Sequence, residues 1–426
     1  MDLLTDIIII LAKVIGLTFM VVLPLVPISV YFERRFSAII QDRVGPNRVG
    51  IPLTLFGAKK DFSLFGLVQP VADGIKLFLK EDFTPVHVRK AFYWMAPALT
   101  IIPSLVTVCV VPFGSPITIN GEQYKMVIAD LDVGPLFVFA VSSLAVYGIT
   151  LAGWSSNSKY PFVGGVRSTA QMISYEISLG LSIIPVLLWY GELNLSNIVE
   201  HQALNGWLLL PLWGDSAPWN NGGDFSAWIF WIPATVAFLI FTISIFAETN
   251  RMPFDLPECE TELVGGYHTE YSSMKFAMFF MGEYAAMVIG SALIVTMFLG
   301  GWSLGFTLDE KLLMDGEGNW LWFSGLVHMG VFLTKLVAFI LFFILVRWTV
   351  PRFRYDQLMR LGWVIFFEAA LINVFIAALV IAAPSLGILT TIIGAVLLAV
   401  VSGALIWVLK VSEPKAQPNR GLLGQN

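Results

Sequence analysis

Long apolar stretches alternate with short polar connections along most of the chain. A helix needs about 20 apolar residues to cross the ~30 Å hydrocarbon layer of a bilayer. Because a segment in lipid must satisfy its own backbone hydrogen bonds, each such stretch predicts a membrane-spanning helix. The pattern predicts spans 1 to 9 over residues 7–32, 93–112, 135–154, 170–190, 227–247, 276–300, 326–348, 363–383 and 386–409.

The composition agrees with this pattern. Hydrophobic residues make up 57% of the 426-residue chain and charged residues 13%, whereas soluble domains have about 45–50% and 25%. A soluble enzyme and a disordered chain are therefore excluded. We predict an all-α, polytopic membrane protein in which residues 1–412 form a single bundle and residues 413–426 form a polar cytoplasmic tail. The first stretch is too long for a signal peptide, so we expect it to be retained as span 1.

The basic residues predict the orientation of the spans. Except for Lys13, Lys125, Lys311 and Lys335, all Lys and Arg residues lie in the connections after spans 1, 3, 5 and 7, in the C-terminal tail or, for Arg347, at the end of span 7 next to its connection. Short connections rich in Lys and Arg stay in the cytoplasm. We therefore expect the N-terminus outside, the C-terminus in the cytoplasm, and a bacterial inner-membrane location.

The connection over residues 33–92 has apolar content of its own. Within Phe62 to Lys80, the polar residues Gln69, Asp73, Lys76 and Lys80 recur at helical spacing among Phe, Leu, Val and Ile. A helix with one narrow polar stripe is typical of the membrane interface. A cytoplasmic cover helix without further function is the alternative.

A second connection, residues 248–275, is acidic and is called here the acidic connection. Its carboxylates are interleaved with apolar residues, two prolines and a Gly265-Gly266 pair, which favours a packed segment over a solvated loop. Carboxylates this close would titrate as a coupled set. They are Glu248, Asp255, Glu258, Glu260, Glu262 and Glu270.

Ionisable residues inside predicted spans are costly in hydrocarbon and therefore indicate function. Glu176, Glu248, Glu283 and Glu368 all fall in the predicted cytoplasmic half of the bilayer. They could form a proton wire, or each could pair with a neighbouring helix or a partner subunit. Lys335 lies near the middle of span 7, and its role is open.

The chain carries no sequence motif for a redox cofactor, a nucleotide or a metal. The GxGxxG, GxxxxGK[ST], HExxH and CxxC patterns do not occur, and the four histidines are scattered. We therefore expect no cofactor bound by this chain alone, and we assign any redox cofactor to partner subunits.

Several segments closely resemble one family, the quinone-site membrane subunit of respiratory complex I. The matching stretches are ERRFSAIIQDRVGPNRVG at 33–50, LVQPVADGIKLFLKED at 67–82, AETNRMPFDLPECETELVGGYHTEY at 247–271, MKFAMFFMGEY at 274–284 and PRFRYDQLMRL at 351–361. Matches extend over roughly residues 30 to 380, and the run at 247–271 is very specific.

The resemblance implies a role in proton-translocating NADH:quinone oxidoreductase. In that family the subunit forms the quinone chamber beside hydrophilic-arm subunits that carry the terminal iron–sulfur cluster, with FMN also on partner subunits. Small and antiporter-like membrane-arm subunits and lipid would be its other neighbours, and no nucleic acid is implied. The implied chamber and entrance residues are Glu33, Arg34, Arg43, Gln69, Asp73 and Lys76, and the implied membrane proton path is Glu176, Glu248 and Glu283.

Two departures from the family pattern affect single residues. Cys259 stands where many members have another small residue, which favours packing over redox sensing. Glu368 follows Trp363 and Val364 where many members have Trp-Lys and then Leu-Pro. Glu368 therefore takes no role from the family, and its place in a proton wire is our own hypothesis.

Two alternatives remain at this point. One is the equivalent quinone-free subunit of a membrane-bound hydrogenase-type complex, against which the QDRVGPNRVG segment argues. The other is a stand-alone ion transporter, suggested by Glu176, Glu283 and Lys335. A transporter would not need a large acidic connection interleaved with apolar residues.

Overall fold

The chain forms a bundle of long helices, as the hydrophobic pattern predicts. The computed structural model describes residues 3–50, 65–119, 122–210, 226–257, 260–305, 308–314, 320–321, 323–382 and 387–412. Within these residues, eight helices are long and apolar enough to cross a membrane. The ninth predicted span falls on a further helix, Gly387–Ser412, which contains the shorter apolar segment Ile392–Gly403. The prediction of a polytopic helical membrane protein is confirmed.

The spans are built from consecutive helical segments. Span 1 comprises Leu3–Lys13, a π-helical segment Val14–Val22 and Leu23–Ile40. Span 8 comprises Tyr355–Arg360, a π-helical segment Leu361–Phe366 and Phe367–Ala382. The remaining spans are, in order, Lys90–Thr107, Gly134–Ser142 with Leu144–Ser155, Lys159–Tyr190, Ser226–Glu248, Ser273–Phe298, Ser324–Thr349 and Gly387–Ser412.

Several helices extend beyond the predicted limits. Span 1 continues past residue 32 to Ile40, and span 4 begins at Lys159 and not at residue 170. Hydropathy marks only the part of a helix that fits the hydrocarbon, whereas backbone hydrogen bonding continues into the polar interface. The first span therefore carries Glu33 and Arg34 on a continuous helix and not in a loop.

The predicted interfacial helix is shorter than its sequence pattern. It runs over Gln69–Leu79 and follows a turn at residues 65–68, while residues 62–64 lie outside the described residues. Pro70 near its start fits the first turn of a helix, where a backbone N–H has no partner. The other short elements are the helices Val108–Val110, Leu195–Asn205, Glu260–Leu263, Gly266–His268 and Leu308–Leu313 and the antiparallel strands Ile117–Ile119 and Glu122–Tyr124.

The connections that are rich in Lys and Arg gather at one end of the bundle, called here the basic end. The Arg89 backbone N–H donates to Ser155 O over 3.0 Å, joining the connections after spans 1 and 3. The Phe353 N–H donates to Pro253 O over 3.2 Å, joining those after spans 5 and 7. The other connections meet at the opposite end, where Gly300 N donates to Gln202 Oε1 over 2.9 Å.

Two spans occupy the middle of the bundle. Span 4 packs against spans 3, 5 and 8, and span 6 packs against spans 1, 2, 5 and 7. Tyr175 of span 4 is fully buried and donates to Leu358 O over 2.9 Å, which fixes the start of span 8. Spans 4 and 6 carry Glu176 and Glu283, so both carboxylates project from the central helices.

Candidate functional site at the basic end

Glu33, near the basic end of span 1, is buried and has three partners from distant parts of the chain. Its Oε2 accepts hydrogen bonds from Arg251 Nη1 at 3.0 Å and from the Tyr284 hydroxyl at 2.7 Å. Its Oε1 pairs with Arg347 of span 7. The carboxylate therefore joins span 1 to spans 6 and 7 and to the acidic connection.

Arg251 continues this network to a second carboxylate. Its Nε lies 2.5 Å from Glu283 Oε1, and its guanidinium carbon lies 4.0 Å above the centre of the Tyr284 ring. We call Glu33, Arg251, Glu283, Tyr284 and Arg347 the Arg251 cluster. Two carboxylates and two guanidinium groups balance in formal charge, which is the condition for holding ions in a buried site.

The backbone after span 5 explains why Arg251 points into the bundle. The Arg251 N–H donates to Phe246 O over 3.3 Å, so the chain turns back immediately after Glu248. Asn250 adopts a left-handed conformation with φ 51°, which Asn tolerates better than most residues. Gln171 of span 4 donates to Ala247 O and to Phe254 O, each over 2.8 Å, and fixes both sides of this turn.

The acidic connection is packed, as its interleaved pattern predicts. Phe254 and Leu256 are buried in the main core, and the Tyr93 and Tyr271 rings stack with centroids 4.1 Å apart. Burial raises the pKa of the Tyr271 hydroxyl above its ordinary value. The Tyr93 hydroxyl donates to Glu270 O over 2.7 Å, so the end of the connection is tied to span 2.

Two described carboxylates of this connection pair with arginines from elsewhere in the chain. Asp255 Oδ2 lies 2.7 Å from Arg352 Nη2, and Glu262 Oε2 lies 2.7 Å from Arg167 Nη1. Sequence reasoning expected a cluster of acids and did not anticipate these two cations. Glu258, Cys259 and the side chain of Glu260 lie outside the described residues.

The proposed entrance residues divide into two groups. Arg34 Nη1 lies 2.5 Å from Asp73 Oδ2, and Gln69 Nε2 donates to Asp73 Oδ1 over 3.1 Å. This network connects span 1 to the Gln69–Leu79 helix. Arg43 and Lys76 are exposed at the same end of the molecule.

A lysine joins the first connection to the acidic connection. Lys275 is buried, with its Nζ 3.0 Å from Asp82 Oδ2 and 2.9 Å from Thr84 Oγ1. The ammonium also lies 3.6 Å from the centre of the Trp94 ring. The two connections that the sequence singled out are therefore held together at the basic end.

Two of the predicted membrane carboxylates are neighbours. Glu248 accepts a hydrogen bond from Ser142 and interacts electrostatically with Glu176. Glu248 lines a cavity of about 40 Å³ together with Ser104, Thr107 and Ser142. These polar groups lie among apolar lining residues, and a cavity of this size has room for a few water molecules, since one water needs roughly 10–15 Å³.

The four carboxylates thus do not form one row. Glu283 belongs to the Arg251 cluster, whereas Glu176 and Glu248 form a separate pair. Glu368 lies on the exposed outer face of span 8, next to the exposed Val364 and Phe375. Its inclusion in a proton wire stays a hypothesis.

Comparison with known proteins agrees with the resemblance seen in the sequence. The family described as NADH dehydrogenase matches residues 12–378. The chain belongs to this family. A curated relative from Geobacter metallireducens, named as a subunit of NADH-quinone oxidoreductase, is 45% identical over 375 residues, which cover 87% of this chain and 96% of the relative.

Other members of the family are similar at the same level, and they too are named as subunits of NADH-quinone oxidoreductase. The relative from Geobacter sulfurreducens is 46% identical over 85% of this chain and 93% of its own length. The relative from Rhodothermus marinus is 44% identical over 83% of this chain and 91% of its own length. The family match over residues 12–378 includes every residue of the Arg251 cluster.

Among the described residues of this family member, no group of three or more His, Cys, Asp or Glu side chains could hold a metal ion. The residues that sequence reasoning missed are Arg167, Arg251, Arg347 and Arg352, which complete the ion pairs, and Tyr284, which donates a hydrogen bond to Glu33. Arg347 and Arg352 lie where the positive-inside rule already predicts basic residues. The sequence therefore gives no sign that either arginine pairs with a particular carboxylate. Tyr284 adjoins Glu283, but no sequence signal shows that it contacts Glu33.

Proposed function

We propose that this chain is the membrane subunit of a proton-translocating NADH-quinone oxidoreductase of the bacterial inner membrane. It forms the quinone access chamber at its basic end, which faces the cytoplasm. It also couples quinone reduction to proton movement in the membrane. The names of its relatives support the enzyme class, and the Arg251 cluster is the observation that carries the coupling role.

The chamber assignment places the quinone headgroup beside the connections at residues 33–92 and 248–275. Reduction of a quinone to a quinol takes up two electrons and two protons. Partner subunits with iron–sulfur clusters would supply the electrons, because this chain carries no sequence motif for a redox cofactor. The chain itself would supply a path for the lipophilic substrate and charged groups that respond to its reduction.

Arg251 can transmit that response because one guanidinium serves two carboxylates. Its Nη1 bonds Glu33 at 3.0 Å, and its Nε contacts Glu283 at 2.5 Å. A change in charge or protonation near Glu33 alters how the Arg251 guanidinium divides its contacts between Glu33 and Glu283. Glu283 then gains or loses a positive neighbour, and its proton affinity changes accordingly.

The next carboxylates lie deeper in the bundle. Glu248 ends the helix of span 5, three residues before Arg251, and lines the small cavity beside Ser104, Thr107 and Ser142. Water in that cavity would connect the proton on Glu248 to the hydroxyl groups of Ser104, Thr107 and Ser142. Glu176 interacts with Glu248 and is partly exposed on the bundle surface, where it would meet a membrane-arm subunit.

The residues implied for the chamber entrance lie where a quinone could enter from the lipid. Arg34 and Asp73 connect the exposed Gln69–Leu79 helix to span 1 on the side of Glu33. The apolar side chains of that helix, including Val71, Ile75 and Phe78, are exposed. An exposed apolar face next to charged side chains suits the membrane interface, where a quinone tail would leave the lipid.

Photolabelling of the whole complex with an azido-quinone tests this proposal. We expect label on residues 33–80 or 248–275 of this chain, lost when excess quinone competes. An inactive azide-free quinone analogue that does not bind the enzyme serves as a control and should leave the label unchanged. Competable label on partner chains alone would overturn the chamber assignment, as expected for a quinone-free relative or an ion transporter.

A further inference from the structure

Lys335 of span 7 lies in a cage of backbone carbonyl groups. Its Nζ donates to Leu299 O over 2.7 Å, to Gly301 O over 3.0 Å and to Ser303 O over 2.7 Å. An ammonium has three N–H donors, so all three are used. The same group lies 3.8 Å from the centre of the Trp207 ring, which adds a cation–π contact.

The loop that supplies the carbonyl groups is shaped for this contact. Gly300 and Gly301 have φ values of +71° and +49°, in the left-handed region that favours glycine. A Cβ at Gly300 would also lie 2.2 Å from the Trp207 ring. Gln202 accepts from the Gly300 N–H over 2.9 Å and so holds the loop from the other side.

A buried carboxylate balances the ammonium on the side away from the basic end. Asp309 accepts from Ser303 Oγ over 2.6 Å and from the Leu304 N–H over 3.0 Å, and it lies 3.0 Å from His328 Nε2. Burial alone would raise the pKa of Asp309, but hydrogen bonds from His328, Ser303 and Leu304 outweigh it and lower that pKa. Asp309 therefore stays ionised near neutral pH.

The ammonium lies deeper in the bundle than this carboxylate. Lys335 is eleven residues beyond Ser324, the first residue of span 7, which places its backbone about 16 Å along the helix axis. That depth is close to the middle of a ~30 Å hydrocarbon layer. Lys335 is therefore the charged residue of this network nearest the membrane centre, and the half of the bundle beyond it toward the basic end contains Glu176, Glu248 and Glu283.

The three carbonyl acceptors favour the charged form of Lys335. A relay group must lose and regain a proton, whereas loss of one from this ammonium would leave a caged carbonyl without its donor. A fixed positive charge in a pore or bundle instead raises the energy of a passing cation. We propose that Lys335 closes the half of the bundle opposite the basic end to protons.

This inference rests on the proposed function, because it needs protons on the membrane carboxylates. Lys335 would prevent them from leaking through this chain to the opposite face. The protons would then leave only sideways, through Glu176, toward a neighbouring subunit. Coupling requires such a barrier, since a continuous path through one subunit would dissipate the gradient.

The passive proton permeability of proteoliposomes that contain the whole complex tests the barrier. A potassium diffusion potential drives proton entry without NADH or quinone, and a pH-sensitive dye records the rate. Lys335→Gln keeps a hydrogen-bond donor but loses the charge. We expect it to raise the rate of proton entry, above that of liposomes without protein, by about tenfold. Lys335→Arg keeps the charge, so proteoliposomes with this variant should take up protons as slowly as those with the wild type.

Ser303→Ala is the matched control for disturbed packing. It removes a hydrogen bond to Asp309 from the same network but leaves both charges in place, so we expect no added leak. The barrier is overturned if Lys335→Gln complexes admit protons as slowly as the wild type, or if Ser303→Ala leaks equally. Because no turnover takes place, a failure here is distinct from a failure of the quinone and coupling assignments, which photolabelling and turnover assays report.

Discussion

Arg251 Nε lies 2.5 Å from Glu283 Oε1, so the first residues after span 5 are joined to the MKFAMFFMGEY stretch of span 6, near its last residue. The same guanidinium reaches Glu33 through its Nη1. A single side chain thus connects the side implied for the quinone with the carboxylates of the membrane.

Arg251→Leu should destabilise the subunit strongly. It leaves two buried carboxylates with one fewer cation, and breaking a buried pair costs about 3–5 kcal/mol. Blue-native gels of solubilised membranes should show less intact complex after mild heating. Arg251→Lys keeps the charge but cannot contact Glu33 and Glu283 through separate nitrogens. We expect it to assemble better than the leucine variant while quinone-dependent turnover falls by about tenfold or more.

The pair between Asp255 and Arg352 should hold the acidic connection against the start of span 8. Asp255→Asn removes the charge of a buried acceptor that lies 2.7 Å from Arg352. We expect faster proteolysis between residues 248 and 275 in the variant complex. In a double-mutant cycle with Arg352→Gln, the two effects should not add, because both remove the same contact. Additive effects would show that the pair does not hold the connection.

Glu262→Gln should reduce quinone-coupled proton pumping without reducing assembly of the complex. The pair between Glu262 and Arg167 is partly exposed, and such pairs contribute about 0–1 kcal/mol to stability. We therefore expect normal amounts of complex but reduced quinone-dependent proton pumping. Glu260→Gln should behave in the same way. Glu81→Gln, an exposed change at the same end, is the control. Full coupled turnover in both acidic variants would remove the acidic connection from the coupling path.

Hydropathy and the distribution of basic residues predicted most of the fold. The spans, the alternation of connections between two ends and the packed acidic connection all follow from local pattern, because lipid leaves few alternatives to a helix. The helix limits were less accurate. Glu33 was assigned to a loop, whereas the helix of span 1 carries it into the bundle.

The site could be predicted only as a set of separate residues. Glu248 and Glu283 stood out because charges are rare in predicted spans, and Glu33 was named only through the family resemblance. Nothing local indicated that Arg251 and Arg347 would meet Glu33. Those contacts join parts of the chain that are distant in sequence, and only the packing of spans 1, 6 and 7 brings them together. Lys335 was noticed for its depth, but its carbonyl cage depends on loop conformation that the sequence does not specify.

Glu176→Gln should impair proton pumping while quinone reduction continues. Glu176 interacts with Glu248 and is partly exposed on the bundle surface, so it is the last carboxylate of this chain on the proposed path. The variant is close in size, so assembly should be unchanged. Dye quenching in proteoliposomes, normalised to quinol formed, measures the effect. If pumping per quinol equals that of the wild type, Glu176 has a structural role only.

The number of protons pumped per electron in a Glu283→Gln complex tests the central claim most directly. The account predicts that electrons still reach quinone, at a reduced rate, while the proton-to-electron ratio falls clearly below that of the wild type. Glu192→Gln, an exposed change at the opposite end, should keep the wild-type ratio. A wild-type ratio in the Glu283→Gln complex would contradict the claim that the Arg251 cluster couples quinone reduction to the membrane carboxylates.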